Sequence, residues 1–180
     1  MTLDSMTASK KYAKAMFEVL TNTNELESGY ADLQELRKVF AANPKLIDIL
    51  DDIRVADKDK QSLLAPITEN ASDFIKNFLK VVADYRRFPQ ILDIIDQFQK
   101  VYEDDKKIVR AEVVSATELS DDQRDRLAKA FEKRVGAAKV IFDTKVDSSL
   151  IGGVMIKSSD MTIDGSVKTR INKVKELLLN

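Results

Sequence analysis

The sequence contains no cysteine and no histidine among its 180 residues. Without cysteine there are no disulfides and no thiolate chemistry. Without histidine, Ser-His-Asp and Cys-His catalysis are excluded, together with the common zinc sites. Carboxylates, lysine, tyrosine and serine remain for chemistry. These side chains can still build a site, so the exclusion is broad but not total. We expect a protein–protein adaptor, not an enzyme, with no catalytic residue, no metal and no cofactor, because of the apolar helices and the family resemblance described below.

Long apolar runs are also missing. No stretch approaches the roughly 20 apolar residues that a membrane-spanning helix needs. Residues 1–7 lack the basic start and apolar centre of a signal peptide. We therefore expect a protein that is made and kept in the cytoplasm and that reaches a membrane only through a partner.

Proline and glycine are scarce and unevenly distributed. Residues 1–105 carry a net charge of −5 and residues 106–180 a net charge of +4. The polar run 104–107 lies at the boundary between these two segments. The change in charge and in helix-breaking residues predicts two domains, 1–105 and 106–180. The first contains all three prolines, Pro44, Pro66 and Pro89, and the second contains four of the five glycines, Gly136, Gly152, Gly153 and Gly165.

Helical periodicity in residues 1–105 predicts about six helices joined by short loops. Asn43 is expected to cap the third helix, with Pro44 at its first position. The fourth helix is expected to run from Asp57 and to end near Pro66. We predict a mainly α fold in which an N-terminal six-helix bundle is followed by a small α+β domain.

The period changes after residue 107. Residues 108–114 are rich in β-branched side chains and predict a strand. Ser120 begins a capping box, and Gly136 is suited to end the helix that follows. The order β-α-β-β-β-α predicts the small α+β domain. Two further faces are predicted, one on a strand with Val140, Phe142 and Val146, and one on the last helix with Val167, Ile171, Val174 and Leu178.

Two predicted helices are more apolar than a surface helix of a small bundle requires. Two interpretations are open: either both helices are buried on all sides, or each packs one face on the core and presents another to a partner helix. The residues do not separate these two interpretations. The first helix has Tyr12, Ala15 and Val19 beside Ala13, Met16, Phe17 and Leu20. The fifth has Phe74, Phe78, Val81 and Tyr85 beside Ile75, Leu79 and Val82.

Three other patterns are weaker candidates for sites. Ile151-Gly152-Gly153 lacks the spacing of a phosphate-binding loop and favours a tight turn before a strand. Asp147, Asp160 and Asp164 lack the spacing of a calcium loop, so we expect turn and capping roles. The basic last helix, with Lys168, Arg170, Lys173 and Lys175, could contact nucleic acid or a membrane, although such runs are commonly solvated faces.

Two segments carry a resemblance to a known family. The first is residues 12–17, Tyr-Ala-Lys-Ala-Met-Phe. The second is residues 145–156, Lys-Val-Asp-Ser-Ser-Leu-Ile-Gly-Gly-Val-Met-Ile, continued by residues 160–170, Asp-Met-Thr-Ile-Asp-Gly-Ser-Val-Lys-Thr-Arg. The chain resembles the delta-subunit family of bacterial F-type ATP synthases, equivalent to the mitochondrial oligomycin-sensitivity-conferring protein. It departs from the family pattern at two turn positions, Ser148 in place of proline and Ser159 in place of glycine.

The resemblance implies a non-catalytic stator subunit, present once per complex on the cytoplasmic face of the cell membrane. Such a subunit links the catalytic head to the peripheral stalk and resists rotor torque during proton-driven ATP synthesis. The N-terminal helix of an alpha subunit would lie between the first and fifth helices, and stalk subunit b would bind the C-terminal domain. The implied alpha-binding positions are Tyr12, Ala15, Phe17, Asn77, Phe78 and Val81. The implied structural motif of the C-terminal domain is Gly152, Gly153, Asp160, Asp164, Gly165 and Ser166.

Two alternatives belong to other functional classes. A carboxylate enzyme, with or without magnesium, requires a close Asp/Glu pair with shifted pKa values in a pocket. A nucleic-acid-binding protein that used residues 106–180 would show steeply salt-dependent affinity.

Overall fold

The computed structural model describes the main chain of residues 3–159 and 161–179. Side chains are described for residues 6–159, 161–172, 174 and 175. The chain divides into two compact units, the first ending at Tyr102 and the second beginning at Glu103. The fold is mainly helical with one small four-stranded sheet, which lies in the second unit.

The first unit is built from helices, and its last helix continues to Asp105. The elements are α1 Leu3–Asn22, α2 Leu26–Ala42, α3 Pro44–Asp51, α4 Asp57–Thr68, α5 Asp73–Asp84, a 3-10 turn Phe88–Gln90, and α6 Ile91–Asp105.

The core of this unit includes one face of α6. Ile91, Ile95 and Phe98 of that helix have no exposed surface. Near its end, the ring of Tyr102 stacks on Tyr30 of α2 with 4.0 Å between the centroids. The hydroxyl of Tyr102 donates to the Glu27 carboxylate at 2.5 Å, so the buried phenol is hydrogen-bonded.

Two helix ends differ from the prediction. The side chain of Asn43 makes no capping bond to α3 and instead donates to the carbonyl of Val39 at 2.9 Å, at the end of α2. Helix α4 continues past Pro66 to Thr68. A proline inside a helix removes one N–H and crowds the carbonyl four residues earlier, but it does not prevent later hydrogen bonds. The N–H of Glu69 reaches the carbonyl of Ala65 at 2.9 Å.

The second unit combines two helices with the sheet, and its elements follow the predicted order. They are β1 Ile108–Ser115, α7 Asp121–Val135, β2 Lys139–Val146, a 3-10 turn Ser148–Leu150, β3 Val154–Ser158, β4 Thr162–Asp164 and α8 Val167–Leu179. The strand order is β2-β1-β3-β4. β1 is parallel to β2, and the other two pairs are antiparallel.

One face of the sheet forms the core of this unit. Val113 pairs with Ile156 of β3 and, like it, is buried against Phe131 of α7. Helix α7 is the crossover that a parallel strand pair requires. Its predicted ends are both present: Ser120 makes a capping box with Gln123, and Gly136 follows the helix with a φ of 69°.

One residue of the predicted apolar face of β2 lies beyond the core. Val140 and Phe142 pack in or against the core, whereas Val146 is 60 % exposed. Val146 is the last residue of β2 and pairs with the last residue of β1. Alternation alone predicts the side of the sheet, not whether the core extends that far.

Candidate functional site

Helix α1 carries two adjacent apolar stripes. The inner stripe is buried, with Ser9, Ala13, Met16 and Leu20 each at or below 8 % exposure. The outer stripe, Ala8, Tyr12, Ala15 and Val19, is shifted by one residue, which is about 100° around the helix. Ala8 and Tyr12 are half-buried, Ala15 is exposed, and Val19 is 53 % exposed. The helix therefore places apolar surface in water beside its core-facing side.

Helix α5 repeats this arrangement. Its inner stripe, Ile75, Phe78, Leu79 and Val82, is buried. The outer stripe contains half-buried Phe74, then Val81 at 39 % and Tyr85 at 67 % exposure. Tyr85 directly follows the last helical residue. Exposed side chains of this size, repeated at helical spacing on one face, mark a surface that a partner can cover.

The structure divides the six predicted alpha-binding residues into three groups. Ala15, Asn77 and Val81 are exposed, while Tyr12 and Phe17 are half-buried. The Phe17 ring packs near that of Phe98, with 6.4 Å between centroids. The third group is Phe78 alone, which is 5 % exposed and belongs to the inner stripe of α5. Phe78 packs into the core of the first unit and has little surface that a partner could contact.

The six-residue set omits Val19 and Tyr85. Both are among the exposed large hydrophobic side chains of the first unit. The signal for each is present in the sequence: Val19 is four residues after Ala15, and Tyr85 is four residues after Val81. That spacing places each on the same helix face as its predecessor.

Charged side chains of both signs border the outer stripes. On α1 the exposed Lys11 lies beside Glu18, and on α5 the exposed Lys80 lies beside Asp73 and Asp84. The border therefore does not select a partner by the sign of its charge.

Two clefts of the first unit lie away from α1. One, of about 390 Å³, lies among Leu50, Leu64, Arg86 and Phe88. Another, of about 340 Å³, is lined mainly by apolar side chains of α2, α4 and α5, with Asp32 and Glu35 on its border. Neither cleft is lined by α1. Within the described residues, no three carboxylates converge as metal ligands do.

The glycine-rich motif of the second unit packs against the backbone at the start of α8. Gly153 has a φ of +79°, and a Cβ there would collide with the carbonyl oxygen of Gly165. The N–H of Gly165 donates to Val154 at 2.9 Å, and the N–H of Val167 donates to Gly152 at 2.9 Å. Gly152 and Gly153 therefore let two backbone segments approach closely.

The polar residues of the motif bind the start of α8. The Asp164 carboxylate accepts the N–H of Ser166 at 2.9 Å and the Thr169 hydroxyl at 2.7 Å. The hydroxyl of Ser166 accepts the N–H of Thr169, as a capping side chain does. Asp160, also predicted in this motif, lies outside the described residues.

The turn at Ser148, where the family pattern has proline, is held by Asp147. The N–H of Ser149 donates to the Asp147 carboxylate at 2.9 Å and holds the pKa of that carboxyl below its ordinary value. A charge-assisted bond thus fixes the turn without a proline ring.

In the part of the chain that the structure describes, no helix has the length and apolar content needed to cross a membrane.

The fold defines the class: a helical first unit is followed by an α+β unit with a four-stranded sheet. Comparison with known proteins identifies the family. Residues 8–178 match the family model described as "ATP synthase delta (OSCP) subunit". The chain belongs to this family. It is a stator component of the F-type ATP synthase, a membrane-associated complex, and it is not itself catalytic.

Relatives match along the whole chain. The ATP synthase subunit delta of Lactiplantibacillus plantarum is 42 % identical over 180 residues, covering 100 % of this chain and 99 % of the relative. That of Pediococcus pentosaceus is 38 % identical over 179 residues, covering 99 % of each. That of Lactobacillus acidophilus is 34 % identical, covering 100 % and 99 %.

A solved structure shares the fold. A chain of the Toxoplasma gondii mitochondrial ATP synthase hexamer superposes with a TM-score of 0.69 at 20 % identity, covering 100 % of this chain and 99 % of that one. At this identity the similarity shows the fold alone.

Proposed function

We propose that the first unit acts as the six-helix bundle of this family and holds the N-terminal helix of an alpha subunit of the catalytic head. The bound helix lies between α1 and α5, on their outer stripes. The observation that carries the proposal is the exposure of Val19 and Val81, each one residue away from a fully buried neighbour, Leu20 and Val82. Both helices therefore offer apolar surface that their own bundle leaves uncovered.

The second unit, in the same proposal, binds stalk subunit b. One copy of the chain then connects head and stalk on the cytoplasmic face of the cell membrane, where it is attached only through the complex. The rotor applies torque to the head while protons drive ATP synthesis, and the connection keeps the head from turning. Its work is mechanical, because no bond is made or broken in it.

The helix faces suit this work. Apolar burial is favourable by about 25 cal/mol per Å² and needs no matched polar partner, so a short helix can bind firmly through a few anchors. Tyr12 and Tyr85 supply aromatic surface, and Val19 and Val81 supply branched aliphatic surface. Phe78, buried beneath the outer stripe, keeps α5 in position.

The test is a titration of the full chain with a synthetic peptide of the host's alpha N-terminus. Val81→Asp places a charge in the outer stripe and should weaken binding by about 1–4 kcal/mol, as at a hot-spot residue. Ala83→Asp is the matched control, since it adds the same charge to an exposed position of α5 two residues away. It should bind as the unmodified chain does.

Tyr12→Ala provides the corresponding test on α1 and should weaken binding within the same range. Equal affinities for the Val81→Asp, Ala83→Asp and unmodified chains would show that the alpha helix binds elsewhere. A loss with Val81→Asp but none with Tyr12→Ala would restrict the site to α5.

A further inference from the structure

Helix α8 is attached to the second unit at its first turn. Ser166, immediately before the helix, is 1 % exposed, and the N–H of Val167 is bonded to Gly152. Thr169 is half-buried and bonded to Asp164 through its hydroxyl. These contacts fix where the helix starts and in which direction it leaves the turn.

Beyond that turn the described side chains of α8 are in water. Arg170, Ile171, Asn172, Val174 and Lys175 are all exposed. Ile171 is 53 % exposed and Val174 is 55 % exposed. A helix of 13 residues is marginal in water by itself, and most helical stability comes from packing an apolar face. Ile171 and Val174 are therefore left without the packing that would stabilise this part of α8.

The exposed apolar residues have heptad spacing. Val167, Ile171 and Val174 are separated by four and then three residues, which is the alternation of d, a and d positions in a coiled coil. The sequence continues this spacing at Leu178, whose side chain is not among those described. Apart from Ile171, the residues between Val167 and Val174 are polar, so the stripe is narrow over this part of the helix.

The width of the stripe selects the class of partner. A membrane-surface helix has a broad apolar face, commonly with aromatic residues. The described part of α8 has neither, and a strict a/d stripe is the seam of a helix pair.

Charge selects the partner further. With Ile171 at position a, Arg170 is at g and Lys175 is at e, and Lys168 is at the preceding e. These positions flank the seam and set partner choice through interhelical ion pairs. All three side chains are exposed and cationic. The complementary helix carries glutamate or aspartate at its own e and g positions.

We propose that α8 pairs through Val167, Ile171 and Val174 with an acidic α-helix whose apolar residues repeat every three and four positions. That this helix belongs to stalk subunit b rests on the function proposed above. The pairing itself rests on the exposed seam and its cationic borders.

The pairing is tested with a synthetic acidic helix that carries isoleucine at a, leucine at d and glutamate at e and g. It is titrated into the full chain and into two variants. Ile171→Glu places a charge in the seam and should lower the affinity by about thirtyfold or more, as for a hot-spot residue. Asn172→Glu changes the net charge equally outside the seam and should leave the affinity within about threefold of the unmodified chain.

The same three proteins are then titrated with the soluble part of the host's subunit b. Binding that Ile171→Glu abolishes and Asn172→Glu retains supports both the seam and its assignment to the stalk. If subunit b binds all three equally, the second unit still contacts the stalk but the seam is overturned. If subunit b binds none while the acidic peptide shows the predicted pattern, the stalk assignment fails and the seam stands.

The salt dependence of peptide binding and the binding to lipid vesicles are the remaining measurements. Affinity for the acidic peptide should fall as salt rises, and Lys175→Glu should weaken it. Anionic phosphatidylglycerol vesicles are the competing surface. Binding to vesicles that Ile171→Glu abolishes, with no binding of the acidic peptide by the unmodified chain, would overturn the proposal in favour of a membrane contact.

Discussion

Leu20 of α1 occupies the space beside Gly29 of α2 that a side chain at position 29 would need. A Cβ on Gly29 would lie 2.5 Å from both terminal carbons of Leu20. Leu20 is 1 % exposed, so a Cβ at position 29 would force a buried side chain to move. The close approach of α1 and α2 at this point therefore depends on glycine, within a helix where glycine is otherwise unfavourable.

Gly29→Ala should destabilise the first unit. Overpacking costs about 1–3 kcal/mol, and the better helix propensity of alanine returns about 1 kcal/mol. We expect a net loss of about 1 kcal/mol in the free energy of unfolding, measured by urea denaturation. Adding Gly29→Ala to Leu20→Ala removes the collision, so there the same change should be neutral or stabilising. An equal loss in both backgrounds would contradict the collision.

Phe78 and Val81 should separate stability from binding on one helix. Phe78→Ala removes a buried ring and should lower the unfolding free energy by about 3–5 kcal/mol. Val81→Ala, at a position with 39 % exposure, should cost about 1 kcal/mol or less. Affinity for the alpha peptide, measured on the folded protein, should fall more for Val81→Ala. If Val81→Ala cost as much stability as Phe78→Ala, the outer stripe would be part of the core.

This pair also shows what the sequence can predict. Spacing assigns Phe78 equally well to the stripe of Phe74, Val81 and Tyr85 or to that of Ile75 and Val82. The stripes differ by about 100°, and only the packing of α5 on its neighbours fixes its rotation. The excess of apolar residues was visible in the sequence, but which of them remain in water was not.

Elements marked by local chemistry were the most predictable. The two ends of α7, at Ser120 and Gly136, were predicted correctly, because a capping box and a left-handed glycine depend on only a few neighbouring residues. Asn43 was predicted wrongly for the same local reason, since its side chain can bond forward or backward and bonds back to Val39. The exposed seam of α8 has a visible spacing, yet spacing does not say whether a helix face is covered.

The pH dependence of Asp52 should report its ion pair with Arg54. The side-chain bonds from Arg54, including one of 2.6 Å, lower the pKa of Asp52 to about 2. A carboxyl whose pKa is lower in the folded state stabilises the fold above its unfolded pKa, near 4. That contribution should be lost as the pH falls through about 2.

NMR titration of the Asp52 carboxyl measures this directly. The midpoint should be about 2 in the unmodified chain and should return towards the ordinary value in Arg54→Gln. The stability difference between the unmodified chain and Asp52→Asn should be present at neutral pH and disappear at the acid end. A midpoint near 4 with Arg54 intact would refute the ion pair.

Ile151 adopts a backbone conformation that favours glycine. Its φ is 64° and its ψ is −34°, and its β-branched side chain is 69 % exposed. Such a conformation costs a branched residue about 1–3 kcal/mol. At ordinary positions alanine is more stable than glycine by about 0.4–1 kcal/mol, because glycine gains more freedom on unfolding. At position 151 we expect the opposite order.

Ile151→Gly should therefore be more stable than Ile151→Ala by about 1 kcal/mol. The two variants lose nearly the same side-chain surface, so their difference isolates the backbone term, and urea denaturation of the full chain measures it. Gly136→Ala, at a helix end with a φ of 69° and open space around the Cβ, is a second site where alanine should destabilise. If Ile151→Ala matched or exceeded the stability of Ile151→Gly, the backbone at residue 151 would be unstrained. The turn before Gly152 would then need a different explanation, in which Ile151 relaxes into an extended conformation that isoleucine adopts readily.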